Sequence, residues 1–171
     1  MKKQRGVFCF FILYFLFWMG ENALSSYLGI FYEAKGLDGV QIAVINSVFS
    51  IAVVAAALFA GAIGDQISST RSLLLALSIA MILGTALLYI SASYTMILLS
   101  VIIYGVGYSP FNGVADQMLM NRLENHPERF GQIRMGGTIG AGVGVVLAGL
   151  LMQHGSRFSA LFMIYWTAAA L

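Results

Sequence analysis

The chain has 171 residues, of which 60% are hydrophobic and 9% are charged, with a formal net charge of +2. Soluble domains carry roughly 25% charged residues, so this composition excludes an ordinary water-soluble protein, and no nucleic-acid partner is expected. A mean hydropathy of +0.87 indicates that the chain lies in a lipid bilayer. Spanning segments are then helices, because irregular backbone leaves its polar groups unsatisfied in lipid.

Apolar runs predict six helices in chain order and hence an all-α membrane protein. A helix needs about 17 to 25 apolar residues to span a bilayer, and the first five runs reach that length. The sixth run, FSALFMIYWTAAAL, reaches Leu171 after only 14 residues, so we expect the chain to stop inside a truncated sixth helix. The predicted helices cover 7–32, 40–63, 72–92, 95–120, 132–153 and 158–171.

Basic residues in the connections orient these helices. Six lie on one side, against Lys35 and Arg157 on the other. Because Lys and Arg concentrate in cytoplasmic loops, we expect a cytoplasmic N-terminus and a plasma or inner membrane location. The basic start also resembles a secretory signal, but the spanning segments that follow favour an uncleaved first helix. The six are Lys2, Lys3, Arg5, Arg71, Arg122 and Arg129.

Helix one carries an acidic residue at membrane depth. Glu21 lies near the middle of residues 7–32 and is followed by Asn22. An ionisable residue inside a membrane is a functional hypothesis by default, and a low dielectric favours the neutral form of a carboxyl group. Glu21 is therefore a candidate proton carrier. Hydrogen bonding to a substrate, and a structural role as a protonated contact between helices, stay open.

Two further ionisable residues lie at matched depth on successive helices. Asp116 is four residues before Met120 and Arg134 is two after Gln132, which places both roughly 3 to 6 Å inside the predicted helix ends. Consecutive helices are usually neighbours. A charge at the centre of a membrane helix costs about 2.5 to 3.5 kcal/mol, and facing one another relieves that cost.

Helix four has a polar face that includes this acid. Tyr104, Tyr108, Asn112 and Asp116 recur every four residues. Three roles for Asp116 and Arg134 stay open: a substrate-binding pair in a cavity, a structural salt bridge, or hydration and snorkelling at the cytoplasmic edge. The first suits arginine, whose planar fork donates two parallel hydrogen bonds.

Small residues at intervals of four predict close helix packing. One stripe runs along helix five and another along helix two. Packing of the whole stripe is favoured over a special role for any one glycine. The stripes are Gly136, Gly140, Gly144 and Ala148, and Ala57, Gly61 and Asp65.

Signatures of catalysis and of metal binding are missing from the sequence. There is no GxSG or HExxH motif, and Ala62 stands where an intramembrane aspartyl protease needs the first glycine of GxGD. His126 and His154 lie in predicted loops, and the single Cys9 excludes an internal disulfide. The chain is not expected to be an enzyme or to hold a cofactor.

The connection after helix two, GAIGDQISSTRS, resembles a loop of the major facilitator superfamily. Between helices two and three that family has a glycine, an aspartate four residues on, a second glycine and basic residues. Gly61 and Asp65 match the first two, Ser68 and Thr70 depart from the pattern, and Arg71 is basic. The resemblance implies that Gly61, Asp65 and Arg71 steer a conformational switch.

Helices four and five resemble the lactose-permease-like branch of that superfamily. The stretches ADQMLMNRLE and FGQIRMGGTIGAGVG, with FWMG in helix one, match an acid near the end of helix four, an FGxxR entry into helix five and a glycine-rich continuation. Asp116 and Arg134 fall on the acid and the arginine that hydrogen-bond the sugar. The resemblance implies the N-terminal six-helix bundle of the fold, with its C-terminal half missing.

The implied activity is proton-coupled uptake of a small polar solute, such as a sugar or nucleoside, by alternating access. The implied substrate-binding residues are Asp116, Arg134, Asn112 and Glu21. Glu21 replaces a nonpolar residue of the permease, and Ala141 replaces the tryptophan that stacks on sugar, so galactoside specificity is not implied. Alternatives are a non-transporting fragment, a structural half that needs a partner half, and an exporter of drugs or metabolites.

Overall fold

The computed structural model describes residues 2–64, 70–123, 129–153 and 158–170. In these ranges every regular element is an α-helix, and five spans are long and apolar enough to cross a membrane. The predicted all-α membrane class is confirmed. The helices are α1 (Lys2–Ser25), α2 (Leu28–Ala34), α3 (Gly39–Gly64), α4 (Thr70–Ile90), α5 (Tyr94–Leu123), α6 (Arg129–Gln153) and α7 (Phe158–Ala169).

The first span is broken, where one continuous helix was predicted. It covers Phe8–Ala34 but consists of α1 and α2, separated at Ser26 and Tyr27. The Tyr27 N–H donates to the Leu24 carbonyl at 3.1 Å, a tighter turn than the α-helical one. Apolar content gives no signal of this break, since serine next to an apolar run is compatible with helix and with turn.

The fourth and fifth predicted helices, which are α5 and α6, extend further than their apolar cores. Helix α5 ends at Leu123 and α6 begins at Arg129, each three residues beyond the predicted bound. The additional residues include Asn121 and Arg122, whose polarity ended the apolar run but does not end a helix. Charged side chains at a membrane surface are compatible with continued helix.

A glycine ends α2. Gly36 has φ of 83°, a left-handed conformation that glycine adopts without a Cβ penalty. Its N–H donates to the Glu33 carbonyl at 2.9 Å, and the Leu37 N–H donates to the Tyr32 carbonyl at 3.2 Å. This pair of bonds is the Schellman motif, which satisfies the last carbonyls of a helix.

The connection that follows caps two more helices. Asp38 Oδ1 accepts from the Gln41 N–H at 2.8 Å, and Gln41 Oε1 accepts from the Asp38 N–H at 3.1 Å, a reciprocal capping box for α3. Lys35 Nζ donates to the Tyr89 carbonyl at 3.3 Å and to the Ser91 carbonyl, which places a cation at the C-terminus of α4. Burial there lowers the pKa of the Lys35 ammonium below its usual value.

The chain divides into two packing units. The first unit contains Met1–Phe31 and Leu119–Leu171, and the second contains Tyr32–Met118. Helix α1 packs against α6 and α7 in the first unit. Helices α3, α4 and α5 pack together in the second unit.

In the first unit the glycine stripe of α6 lies directly against the backbone of α1. A Cβ on Gly136 would lie 2.9 Å from the Phe11 carbonyl oxygen, and one on Gly140 or Gly144 would overlap a carbonyl of α1. The predicted close packing of this stripe is confirmed. Paired residue numbers rise together, so α1 and α6 are parallel: Phe11 with Gly136, Phe15 with Gly140, and Met19 with Gly144.

Helix α7 packs antiparallel to α1. Gly20 lies against Tyr165 and Ala168, where an added Cβ would come within 3.2 Å of the Tyr165 Cα. Eleven residues further along, the Phe31 ring lies 5.2 Å from the Phe162 ring. The two helices run in opposite directions, as expected of the first and sixth helices of a bundle in which successive helices alternate in direction.

The second unit is also assembled through glycine. A Cβ on Gly84 of α4 would lie 2.6 Å from the Tyr104 nitrogen, and one on Gly107 of α5 would lie 2.8 Å from Met81 Cγ. These contacts make α4 and α5 antiparallel. Close approach of helix backbones through small residues is typical of membrane bundles.

Candidate functional site

The polar face predicted on helix four lies on α5 in the second unit. Tyr104 is buried, and Tyr108, Asn112 and Asp116 are half-buried. Asp116 lies seven residues before Leu123, where α5 ends, roughly 10 Å along the helix. The carboxyl group is therefore deeper within its helix than the predicted bounds implied.

Asn112 lies two residues after a proline within α5. Pro110 is buried in the helix interior and has no N–H for the carbonyl one turn earlier. Asn112 Nδ2 donates to the Tyr108 carbonyl at 3.0 Å. That bond orients the amide and uses one of its two N–H donors. The side-chain carbonyl oxygen is not used by this bond and can act as an acceptor.

Aromatic rings from two helices meet beside this amide. The Phe49 ring of α3 is stacked on the Tyr104 ring, with centroids 5.1 Å apart and planes at 24°. The Tyr108 ring lies 5.9 Å from both. Sequence reasoning missed Phe49, because an isolated phenylalanine in an apolar helix does not reveal which helix it contacts.

Glu21 lies in the first unit and is 4% exposed. It follows Gly20, the point at which α1 meets α7, and its Oε2 is buried, as is the Tyr165 hydroxyl. Asn22 is held as Asn112 is, with its Nδ2 donating to the Trp18 carbonyl at 3.0 Å. Glu21 lies at the centre of the span Phe8–Ala34, and its midplane position stays a prediction.

Arg134 also lies in the first unit, five residues after the start of α6, roughly 8 Å along the helix. Its side chain is exposed, and its Cζ lies 5.8 Å from the centre of the Phe130 ring. Phe130 packs on an apolar cluster that includes Tyr14 and Leu119. A cation over an aromatic face is stabilised by the ring quadrupole, so the guanidinium is oriented by a packed neighbour.

The predicted site residues are therefore distributed over two units. Asn112 and Asp116 share the second, while Glu21 and Arg134 belong to the first. The pairing of Asp116 with Arg134 stays a prediction.

Residues 65–69, the central part of the predicted switch loop, lie outside the described residues. Asp65 lies outside the described residues, as do His126 and His154. Gly61 is in α3 and Arg71 in α4, without a description of their surroundings. Among the described residues no group of three or more His, Cys, Asp or Glu side chains could hold a metal ion.

Comparison with known proteins gives one match. A family model described as "MFS_1 like family" matches residues 9–171. No curated protein and no solved structure matches the chain. The match extends over all five apolar spans but does not distinguish the lactose-permease-like branch. Together with the helical architecture, it shows a multi-pass membrane protein of the transporter type: the chain belongs to the MFS_1-like family of the major facilitator superfamily.

Proposed function

We propose that this chain is the N-terminal half of a proton-coupled importer of a small polar solute such as a sugar or nucleoside. Transport in this fold uses two six-helix halves that rock about a site near the midplane, so a second six-helix half is part of the proposal. The excess of Lys and Arg on one side supports a cytoplasmic N-terminus in a plasma or inner membrane.

The observation that carries the proposal is the half-buried polar face of α5. Asn112 and Asp116 lie within the candidate span Tyr94–Leu123, in a mostly apolar helix. Polar and ionisable side chains within spans face the bundle interior or a water-filled cavity and mark substrate paths. In this role the Asp116 carboxylate accepts hydrogen bonds from solute hydroxyls, and Asn112 both accepts and donates.

Arg134 is the proposed hydrogen-bond donor to the solute. Its guanidinium carries N–H donors in a rigid fork, and its Cζ lies 5.8 Å from the centre of the Phe130 ring. Two parallel hydrogen bonds to neighbouring hydroxyls of a solute match this geometry. Lysine in the same place would offer a point charge without the fork.

Glu21 is the proposed proton site. A buried carboxyl group is neutral when protonated and costly when charged, so a change in hydration between two transporter conformations moves its proton on or off. The loop with Gly61, Asp65 and Arg71 is proposed as the switch between those conformations. Its support is the sequence resemblance alone.

Counterflow tests the binding residues. In the complete transporter, with this chain joined to its second half, we expect Asp116→Ala and Arg134→Ala each to weaken solute binding roughly 10- to 100-fold, the worth of a hydrogen bond to a charged group. Labelled-solute exchange in proteoliposomes measures this without a proton gradient.

Matched controls use charges of the same kind that carry no proposed role. Glu33→Ala and Arg129→Ala alter exposed side chains and should leave exchange unchanged. Wild-type exchange by both Asp116→Ala and Arg134→Ala would contradict the binding role.

A further inference from the structure

We infer that Phe49 and Tyr108 form an aromatic platform for the ring of the transported solute. The inference rests on the proposed transport function and narrows its substrate class to neutral solutes with a flat ring face edged by hydroxyl or amide groups. Phe49 and Tyr108 would act as specificity-determining residues, distinct from the charged groups.

The three rings of the cluster are not equally accessible. Tyr104 is 3% exposed and lies beneath the stacked Phe49 ring. Phe49 and Tyr108 are half-buried, so each residue keeps some accessible surface. Tyr104 thus supports the platform, and the other two rings present it.

On α3 the platform lies away from the lipid-facing side. The exposed apolar residues Val44, Val54 and Leu58 fall within about 80° of one another at about 100° per residue. Phe49 lies nearly opposite them on the helix. Asn46 is about 60° from Phe49 on the same side and is exposed, and an amide inside a span is more favourably placed in a water-filled space than in lipid.

The same division holds on α5. Ile103 and Val106 lie on the exposed apolar side, and Tyr108 is roughly opposite Val106 on the helix. Asn112 follows Tyr108 by four residues, about 40° away, with its amide already oriented by the Tyr108 carbonyl. The rings and two amides, Asn46 and Asn112, therefore lie on the sides of α3 and α5 that are turned away from their exposed apolar residues.

The chemistry of this wall selects a ring. An aromatic face binds the C–H face of a sugar ring or the plane of a nucleobase, and such stacking tolerates different ring identities. Amides at the edge donate and accept in plane with the ring substituents. A charged ring does not match the uncharged amides at the edge. An open-chain polyol of the same composition has no ring to lie against the aromatic face.

Cysteine labelling tests the platform without any transport measurement. The full chain in membrane vesicles, with Cys9→Ser as background, would carry Asn46→Cys or, as a lipid-facing control on the same helix, Val54→Cys. We expect a charged, water-soluble methanethiosulfonate to label Asn46→Cys and to leave Val54→Cys unlabelled. Uridine or methyl glucoside should slow labelling at least threefold, whereas sorbitol, which has no ring, should not.

The dependence on the rings completes the test. Phe49→Leu and, independently, Tyr108→Leu should remove the protection, while Phe49→Tyr keeps it and Phe8→Leu, an exposed aromatic of α1, leaves it unchanged. Protection by uridine alone assigns a planar base, and protection by methyl glucoside alone assigns a saturated ring.

The inference is overturned if Asn46→Cys is unlabelled, if neither ring solute protects, if sorbitol protects equally, or if protection survives both leucine variants. Labelling reports binding in the second unit only. If protection depends on the rings while Asp116→Ala and Arg134→Ala show normal counterflow, the platform stands and the proposed charged site does not. Failure of the platform and failure of the charged site are therefore distinguishable.

Discussion

Among the acidic side chains that the structure describes, Glu21 is the buried one, whereas Asp116 is half-buried and Glu33 and Asp38 are exposed. Its position next to the contact of α1 with α7 differs from that of Asp116, which lies on the polar face of α5. We propose separate roles, with the solute bound at Asp116 and a proton held at Glu21.

Replacing Glu21 by glutamine tests the proton role. Glutamine keeps the volume and the hydrogen-bonding capacity but cannot carry a proton, so Glu21→Gln should retain counterflow and lose accumulation driven by an imposed pH gradient. Wild-type uptake should fall as external pH rises, since fewer carboxyl groups are loaded from outside, and the variant's uptake should be flat with pH.

The matched control is Glu33→Gln, an exposed acid just beyond the buried part of the same span, which should keep the wild-type pH profile. An unchanged pH profile and normal accumulation in Glu21→Gln would remove Glu21 from proton coupling.

For single residues, the sequence was sufficient to identify Glu21 and the polar residues of α5 as candidates, because polar side chains are rare within apolar segments. It did not locate Phe49 or the packing of Gly136 specifically on Phe11. Apolar residues form most of every span, so their partners depend on which helices meet, and that is a property of the tertiary structure.

At the scale of helices, the glycines of α6 are divided between packed and open positions. Gly140 and Gly144 meet the backbone of α1, whereas Gly142 has no atom within 4 Å of an added Cβ. The same substitution should therefore have different effects at positions two residues apart on one helix.

Gly140→Ala should destabilise the first unit by about 1 to 3 kcal/mol, because the new methyl group forces α1 and α6 apart. Gly142→Ala, the matched control, should be neutral or stabilise by up to about 1 kcal/mol through helix propensity. Thermal unfolding in detergent, followed by loss of the monodisperse species, compares the two. Equal stability of both variants would contradict the observed packing of the stripe.

At the scale of the whole chain, composition and run length were sufficient for the membrane class and for five spanning segments. They were insufficient for the break at Ser26 and Tyr27 and for the ends of α5 and α6. Those features depend on local hydrogen bonds and on polar residues that remain helical at the membrane surface, neither of which changes hydropathy. The family match over residues 9–171 agrees with the superfamily resemblance read from the helix-two loop and from helices four and five.

We propose that Asp116 and Arg134 bind the same solute. A double-mutant cycle in the complete transporter tests it most directly, by measuring solute affinity in counterflow for Asp116→Ala, Arg134→Ala and the double variant. Groups that bind one solute together lose affinity non-additively, so the double variant should bind within about threefold of the weaker single variant. Fully additive losses, or no loss in any of the three, would contradict the claim.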